Sequence, residues 1–134
     1  MNVATGVFSS VTTAEEAYNA LCAAGFDADD IGLVVCDQTK GTALAADLRR
    51  DFKPNDAPNH VIDDDAVYCM WSEDFVNTVR KSDLSDNALN WYRLQLGQGN
   101  ILEIIDVGDR MDDVDRIIHE HGGTLFIDQR GPLL

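Results

Sequence analysis

A strand–helix–strand pattern occurs twice in this chain, once near each end. The first copy runs from Val3–Phe8 through an Ala- and Leu-rich helix to Ile31–Cys36, and the second runs from Ile101–Val107 through an amphipathic helix to Thr124–Ile127. Two such units in one chain are typical of the ferredoxin-like split βαβ sandwich. The sequence therefore predicts an α+β fold in which a four-stranded antiparallel sheet carries helices on one face.

Residues 1–134 are expected to form a single domain, because this length suffices for one hydrophobic core. The first βαβ half comprises residues 3–37 and the second half residues 84–130. Residues 38–83 lie between the second and third strands, and we expect them to be an irregular or helical insertion.

Within the insertion, two different patterns follow each other. Leu44, Leu48 and Phe52 recur at four-residue spacing, which predicts a short amphipathic helix. The stretch Lys53–Asp65 contains two prolines and a run of aspartates, which predicts an exposed loop.

Capping residues indicate where the helices begin and end. Thr13 and Glu16 have the spacing of a capping box, so we expect Thr13 to cap the first helix. Gly25 is expected to supply the left-handed residue after the first helix, and glycines also end the two later helices: Gly97 and Gly99, then Gly122 and Gly123.

The third predicted strand is apolar on both of its faces. Ile101 and Ile105 lie on one face, and Leu102 and Ile104 lie on the other. Helices of a split βαβ fold cover one sheet face, and large exposed apolar patches are uncommon on monomers. We therefore expect the second face to be covered either by residues 38–83 or by a second copy of the chain, and we favour a homodimer.

The charge of the chain limits its partners. Its formal net charge is −14, with 24 acidic residues against 10 basic ones. Such a surface repels phosphate backbones and anionic lipids, so we expect no nucleic-acid partner and no membrane partner. Solubility in a crowded cytoplasm explains the charge, and docking of a basic protein partner is the alternative.

The cysteines indicate a reducing compartment. Cys22, Cys36 and Cys69 are odd in number, lack CxxC spacing and lie among apolar neighbours. Buried thiols of this kind are typical of cytoplasmic proteins. No signal peptide is visible and no apolar run reaches the length of a membrane helix. We therefore predict a cytoplasmic location.

The histidines and aspartates do not form a recognisable metal site. His119 and His121 are two residues apart on a predicted helix, so their side chains point to different faces. The aspartates of residues 63–65 and 106–115 lack the spacing of a calcium loop. We expect no metal ligand and no cofactor.

Three arginines are the candidate ligand-binding residues. Arg110 and Arg116 belong to the last helix or its approach, and Arg130 follows the last strand. If they meet, they provide donors for a carboxylate or a phosphate. Pairing with the chain's own aspartates is the alternative. No catalytic residues can be assigned from spacing, because catalytic triads are recognised by geometry.

Several short stretches match a bacterial family in order and spacing: Gly6-Val7-Phe8, Ala14-Glu15-Glu16-Ala17, Leu21, Ala24-Gly25-Phe26, Asp30-Ile31, Ala88, Trp91-Tyr92, Gly97–Leu102, His121-Gly122-Gly123 and Arg130. In these stretches the chain resembles the general stress protein family, the heat-induced YflT-type domain. The middle departs from the family, which carries a Gly/Ala-rich tract where residues 38–83 hold one glycine, Gly41. The resemblance implies a stress-associated cytoplasmic role, and it supplies no catalytic residues.

Together these observations lead to two hypotheses about function. The first is a non-enzymatic, stress-associated cytoplasmic protein that acts through self-association or a protein partner. The alternative is a small-ligand or metal-binding regulatory module with its site at a dimer interface. An enzyme with its active site in a dimer cleft is a third, less favoured reading.

Overall fold

The computed structural model describes residues 3–50, 53–54, 68–70, 86–127 and 131–133. Its elements, in chain order, are β1 (Val3–Phe8), α1 (Val11–Ala23), a 3₁₀ turn (Ala28–Asp30), β2 (Ile31–Val35), α2 (Gln38–Leu48), β3 (Lys53–Pro54), β4 (Tyr68–Met70), α3 (Asp86–Gly97), β5 (Ile101–Asp106), α4 (Met111–Glu120), β6 (Thr124–Ile127) and β7 (Gly131–Leu133).

The described strands form one antiparallel sheet in the order β3-β4-β2-β5-β1-β6-β7. Its four central strands, β2-β5-β1-β6, come from the two βαβ units, and their order is that of the ferredoxin-like fold. The central pair is in register from Val3 opposite Asp106 to Phe8 opposite Ile101. The predicted α+β fold and its four-stranded antiparallel core are thus confirmed.

The insertion contributes a helix and two short strands. Leu44 is buried in α2, and Leu48 is partly buried at its end, as the spacing predicts. Phe52 lies outside the described residues. The loop predicted from Lys53 onward is wrong at Lys53–Pro54, because these residues pair with β4 and extend the sheet beyond β2.

The first helix begins earlier than the capping box predicts. Ser10 has extended backbone angles, and its Oγ accepts a hydrogen bond of 3.2 Å from the backbone N–H of Thr13. Ser10 is therefore the N-cap, and Thr13 lies within the first turn. Glu16 does not complete a capping box; its carboxylate lies 3.6 Å from Nδ1 of His121.

Three helices end in the left-handed turn that the glycines predict. After α1, Gly25 has a φ of 105°, and the N–H of Phe26 donates to the carbonyl of Leu21 at 3.1 Å. This is the hydrogen bond of a Schellman motif. Gly99 and Gly122 end α3 and α4 with the same pattern of bonds.

Helices lie on both faces of the sheet, so the prediction that helices cover one face only is wrong. The two βαβ helices, α1 and α4, pack on one face together with α2, around Phe8, Leu21 and Ile118. The opposite face is covered by α3, whose Tyr92 and Leu96 are buried against an apolar strand surface made of Val3, Val7, Val34, Leu102, Ile104 and Phe126. Neither residues 38–83 nor a second copy is needed to cover this part of the sheet, so that argument for a homodimer falls away.

The contact of α3 with the sheet combines apolar and polar elements. The ring of Trp91 stacks on Phe126 with centroids 4.5 Å apart. The hydroxyl of Tyr92 lies 2.5 Å from Oγ1 of Thr5, and Thr5 is fully buried. Because a buried hydroxyl without a partner is unfavourable, this hydrogen bond fixes the position of α3 on the sheet.

Candidate functional site

Arg110 lies at the start of α4, and its guanidinium donates hydrogen bonds to other groups of the chain. Its Nη2 donates to the carbonyl of Ala24 at 2.6 Å, and its Nε donates to Oδ2 of Asp113 at 3.1 Å. The guanidinium also lies 4.4 Å from the centroid of the Phe26 ring. Arg110 therefore connects the end of α1 to the beginning of α4.

The second candidate, Arg116, meets Arg110 at the same aspartate. Its Nη2 lies 3.6 Å from Oδ1 of Asp113, and its Nη1 lies 4.0 Å from Glu120. These are exposed helix ion pairs, which contribute little to stability. Arg130 lies outside the described residues. Pairing with the chain's own carboxylates is thus what the structure shows for Arg110 and Arg116, and ligand binding by the three arginines stays a prediction.

The two histidines of α4 lie apart, with different partners. Nδ1 of His119 is 2.7 Å from Oδ1 of Asp115, and His121 faces Glu16. Over residues 3–50 and 86–127, together with the three short strands, no three potential metal ligands come together.

Glu103 is the most unusual side chain in the described part of the chain. It lies in β5, at the centre of the sheet, and is 0% exposed. Neither of its carboxyl oxygens has a hydrogen-bond partner. Burial raises the pKa of this carboxyl well above its usual value. Burial without a hydrogen-bond partner therefore favours the neutral form of this carboxyl over the charged form.

The sheet register explains how Glu103 becomes buried. It pairs with Gly6 of β1 and with Leu33 of β2. Because side chains alternate along a strand, it lies on the same face as Ile101 and Ile105, beneath the layer formed by α1, α2 and α4.

The thiol of Cys22 belongs to the same region. Burial raises the pKa of Cys22, and hydrogen bonding to Tyr18 and the charge of Arg50 oppose this shift. A thiol with a raised pKa is a poor nucleophile. The arrangement therefore does not support covalent catalysis by Cys22.

Tyr18 and Arg50 complete this group. The guanidinium carbon of Arg50 lies 5.7 Å from the centroid of the Tyr18 ring, and its Nη1 donates to the backbone carbonyl of Ile31. Arg50 thus ties the end of α2 to α1 and to the first residue of β2. Burial raises the pKa of the Tyr18 hydroxyl, and the neighbouring Arg50 acts in the opposite direction.

A second carboxyl group with a shifted pKa lies on α1. Burial raises the pKa of Glu15 to about 7, and hydrogen bonding to Asp47 of α2 and the charge of Asp47 act in the same direction. Oε1 of Glu15 is shielded from solvent and has no hydrogen-bond partner.

Sequence reasoning missed both carboxyl features. For Glu103 a signal exists: it is the single charged residue between Ile101 and Ile105, in a strand predicted to be buried on both faces. For Glu15 and Asp47 there is no local signal, since they lie 32 positions apart and meet only when α2 packs on α1.

Charge is distributed unevenly between the two layers of helices. The helix α3 contains two charged residues of opposite sign, Asp86 and Arg93, and its C-terminal turn from Gln98 to Asn100 contains none. The helices on the other face, α1 and α4, carry several carboxylates: Glu15, Glu16, Asp112, Asp113, Asp115 and Glu120. The outer side of α3 also presents Leu94, which is 56% exposed. The outer side of the helix α3 is therefore nearly neutral in a strongly acidic chain.

No helix in the described ranges is long and apolar enough to span a bilayer. Comparison with known proteins gives no relatives: no family model, no curated protein and no solved structure matches this chain.

Proposed function

We propose that this domain is a non-enzymatic, stress-associated protein of the cytoplasm that acts through self-association. The role in stress is supported by the resemblance of both halves to the general stress protein family. The cytoplasmic location is supported by Cys22, which is a thiol outside any disulfide; reducing compartments maintain this state.

Self-association is supported by one observation, the neutral outer surface of α3. We define this α3 surface by Asn87, Asn90, Trp91, Leu94 and Gln98, which are exposed or half-buried. Their amides form hydrogen bonds without net charge, and Leu94 and Trp91 offer apolar area. Aromatic residues are enriched at protein interfaces, whereas Asp and Glu are depleted.

The net charge explains why a second copy should meet at this surface. Two chains of charge −14 repel each other, and the repulsion is strongest where carboxylates approach closely. Contact through α3 keeps the acidic helices α1 and α4 on the far side of each sheet. At physiological ionic strength, salt screens charges that lie more than about 8 Å apart. The acidic helices on the far side of each sheet therefore leave a contact between the neutral faces possible.

The proposal is tested by adding one negative charge to either face. We expect Leu94→Glu to weaken self-association about tenfold, because like charges placed opposite each other in an interface are unfavourable. Asn19→Glu is the matched control, since Asn19 is exposed on α1 on the opposite face. Sedimentation equilibrium at physiological salt measures the dissociation constant of all three proteins.

Native mass spectrometry of protein purified gently from cells tests the same proposal independently. A dimer mass without additional mass supports it. A protein that remains monomeric at all concentrations, or equal dissociation constants for the two variants, contradicts it. A partner protein retained in place of the second copy would assign the α3 surface to that partner.

The alternative proposal is a small-ligand or metal-binding regulatory module with its site at a dimer interface. Of its three candidate arginines, Arg110 and Arg116 are engaged with Asp113, so the described residues offer this proposal less support. A retained small-molecule or metal adduct in the mass spectrum would favour it. A bound species stabilises the fold by an amount that grows with the logarithm of its concentration, and Arg110→Ala should then reduce that stabilisation.

A further inference from the structure

The exposed residues of α3 have the spacing of a contact between two helices. Asn87, Asn90, Leu94 and Gly97 are all exposed and recur at intervals of three, four and three residues. This spacing is that of the a and d positions of a coiled coil, along which two helices pack side by side. We call these four residues the α3 stripe, and it lies on the side of α3 that faces away from the sheet.

The chemistry of the α3 stripe changes from its N-terminal half to its C-terminal half. Asn87 and Asn90 carry amides, which contain both hydrogen-bond donors and an acceptor. Leu94 is apolar and 56% exposed. Gly97 has no side chain, and among the described residues nothing lies within 4 Å of the place where a Cβ would stand. A second helix can therefore approach closely at the C-terminal end of α3.

We propose that self-association brings the α3 helices of two copies together in parallel and in register along the α3 stripe. This inference rests on the proposed function and adds the geometry of the contact. In a parallel, two-fold symmetric pair each stripe residue meets its own counterpart. The amides of Asn87 and Asn90 then bond to identical amides, and Leu94 packs on the leucine of the second copy.

An antiparallel pair along the same stripe places unlike groups together. Asn90 then lies opposite Leu94, and the contact separates the amide from water without giving it a partner. An asparagine at such a position is known to fix the register of paired helices, because it is satisfied only by another polar group. The order of residues in the α3 stripe thus favours the parallel arrangement.

The flank of the α3 stripe favours the same arrangement. Arg93 donates to Oδ1 of Asn90 at 3.1 Å, which brings its guanidinium to the edge of the stripe. In an antiparallel pair Arg93 lies beside the same arginine of the second copy, and like charges repel. In a parallel pair it lies beside Gln98 of the second copy, whose amide oxygen accepts hydrogen bonds from a guanidinium.

The edges of the sheet do not favour a different contact between two copies. The outermost strands of the described sheet are β3 and β7, and each contains a proline, Pro54 or Pro132. Proline has no backbone N–H to donate to a further strand, and prolines at sheet edges oppose the addition of strands. A contact through a helix is therefore favoured over an extended sheet.

Disulfide cross-linking distinguishes the two orientations. Asn87→Cys and Gly97→Cys are made separately in the full chain and oxidised mildly. In a parallel pair each new thiol meets its counterpart, so each variant alone should form covalent dimer at least about tenfold faster than wild type. In an antiparallel pair the two copies of residue 87 lie about 15 Å apart, beyond the roughly 7 Å that a disulfide can span, and only a mixture of the two variants cross-links.

Two controls account for thiols outside the α3 stripe. The wild-type protein reports on its own three cysteines, and Asn19→Cys adds an exposed thiol on α1. Cross-linking that occurs only in the mixture, or that is no faster than in Asn19→Cys, overturns the parallel arrangement. If sedimentation equilibrium still shows a wild-type dimer, the proposed function stands without this geometry. A monomer at all concentrations overturns both.

Discussion

Replacement of Glu103 with methionine is expected to raise the free energy of unfolding at pH 7 by about 1–3 kcal/mol, the usual cost of a buried polar group without a hydrogen-bond partner. The wild-type protein must keep this carboxyl protonated in the folded state, although its ordinary pKa is 4.5 and burial raises its pKa well above that value. With each pH unit above 4.5, retention of this proton in the folded state costs about 1.4 kcal/mol more, until the pKa of the folded state is reached. Methionine has a similar length and shape and no charge, and repacking it should change stability by less than about 1.5 kcal/mol.

The sign of the pH dependence distinguishes this effect from simple repacking. Above pH 4.5 the unfolded state releases the proton while the folded state retains it, so wild-type stability falls as the pH rises. The advantage of Glu103→Met should therefore be larger at pH 8 than at pH 5. Glu15 is present in both proteins, so its contribution cancels in the difference.

Urea unfolding of both proteins from pH 5 to pH 8 measures this advantage. Glu16→Met serves as the control, because Glu16 is exposed and its replacement should change stability by about 0.5 kcal/mol or less. A Glu103→Met protein that is less stable than wild type at pH 8 would contradict a neutral, unpartnered Glu103. So would an advantage that does not change with pH.

The sequence predicts the parts of this fold that depend on short-range chemistry. Gly25, Gly99 and Gly122 end their helices because a left-handed residue is needed there and only neighbouring residues take part. The nearly continuous apolar run of β5 likewise predicts a strand that is buried on both of its faces. The order of the two βαβ units then leaves few arrangements of the four central strands.

Features that depend on contacts between distant segments could not be predicted in this way. The spacing of Tyr92 and Leu96 shows that α3 has an apolar side but does not show which sheet face it covers. Ser10 and Thr13 are both suitable N-caps, and the choice depends on where α1 begins its packing against the sheet. Short strands such as Lys53–Pro54 form only because a partner strand lies beside them.

The candidate site illustrates the same limit. The sequence makes Arg110 and Arg116 candidates because both belong to the last helix or its approach, and the structure brings both to Asp113. The carboxyl groups with the most perturbed chemistry, Glu103 and Glu15, carry no motif. Their properties arise from burial and from a partner on another helix, which a single sequence does not encode locally.

Replacement of Tyr92 with alanine is expected to lower the free energy of unfolding by about 3–4 kcal/mol. Tyr92 is 1% exposed and is the largest fully buried side chain between α3 and the sheet. Its ring packs edge-on against Phe126 at 5.8 Å, and its hydroxyl binds Thr5. Truncation leaves a cavity and a buried threonine hydroxyl without this partner. Urea unfolding measures the loss, with Leu94→Ala on the exposed side of α3 as the control.

Tyr92→Phe separates the two contributions, because it keeps the ring and removes the hydroxyl. We expect it to cost about 1 kcal/mol, so most of the loss in Tyr92→Ala should come from the ring. A loosened α3 also uncovers the apolar strand surface, and Tyr92→Ala should therefore bind hydrophobic dyes and aggregate. This is the opposite of Leu94→Glu, which should weaken association without changing stability. Equal losses in Tyr92→Ala and Leu94→Ala would mean that α3 does not hold this face of the sheet closed.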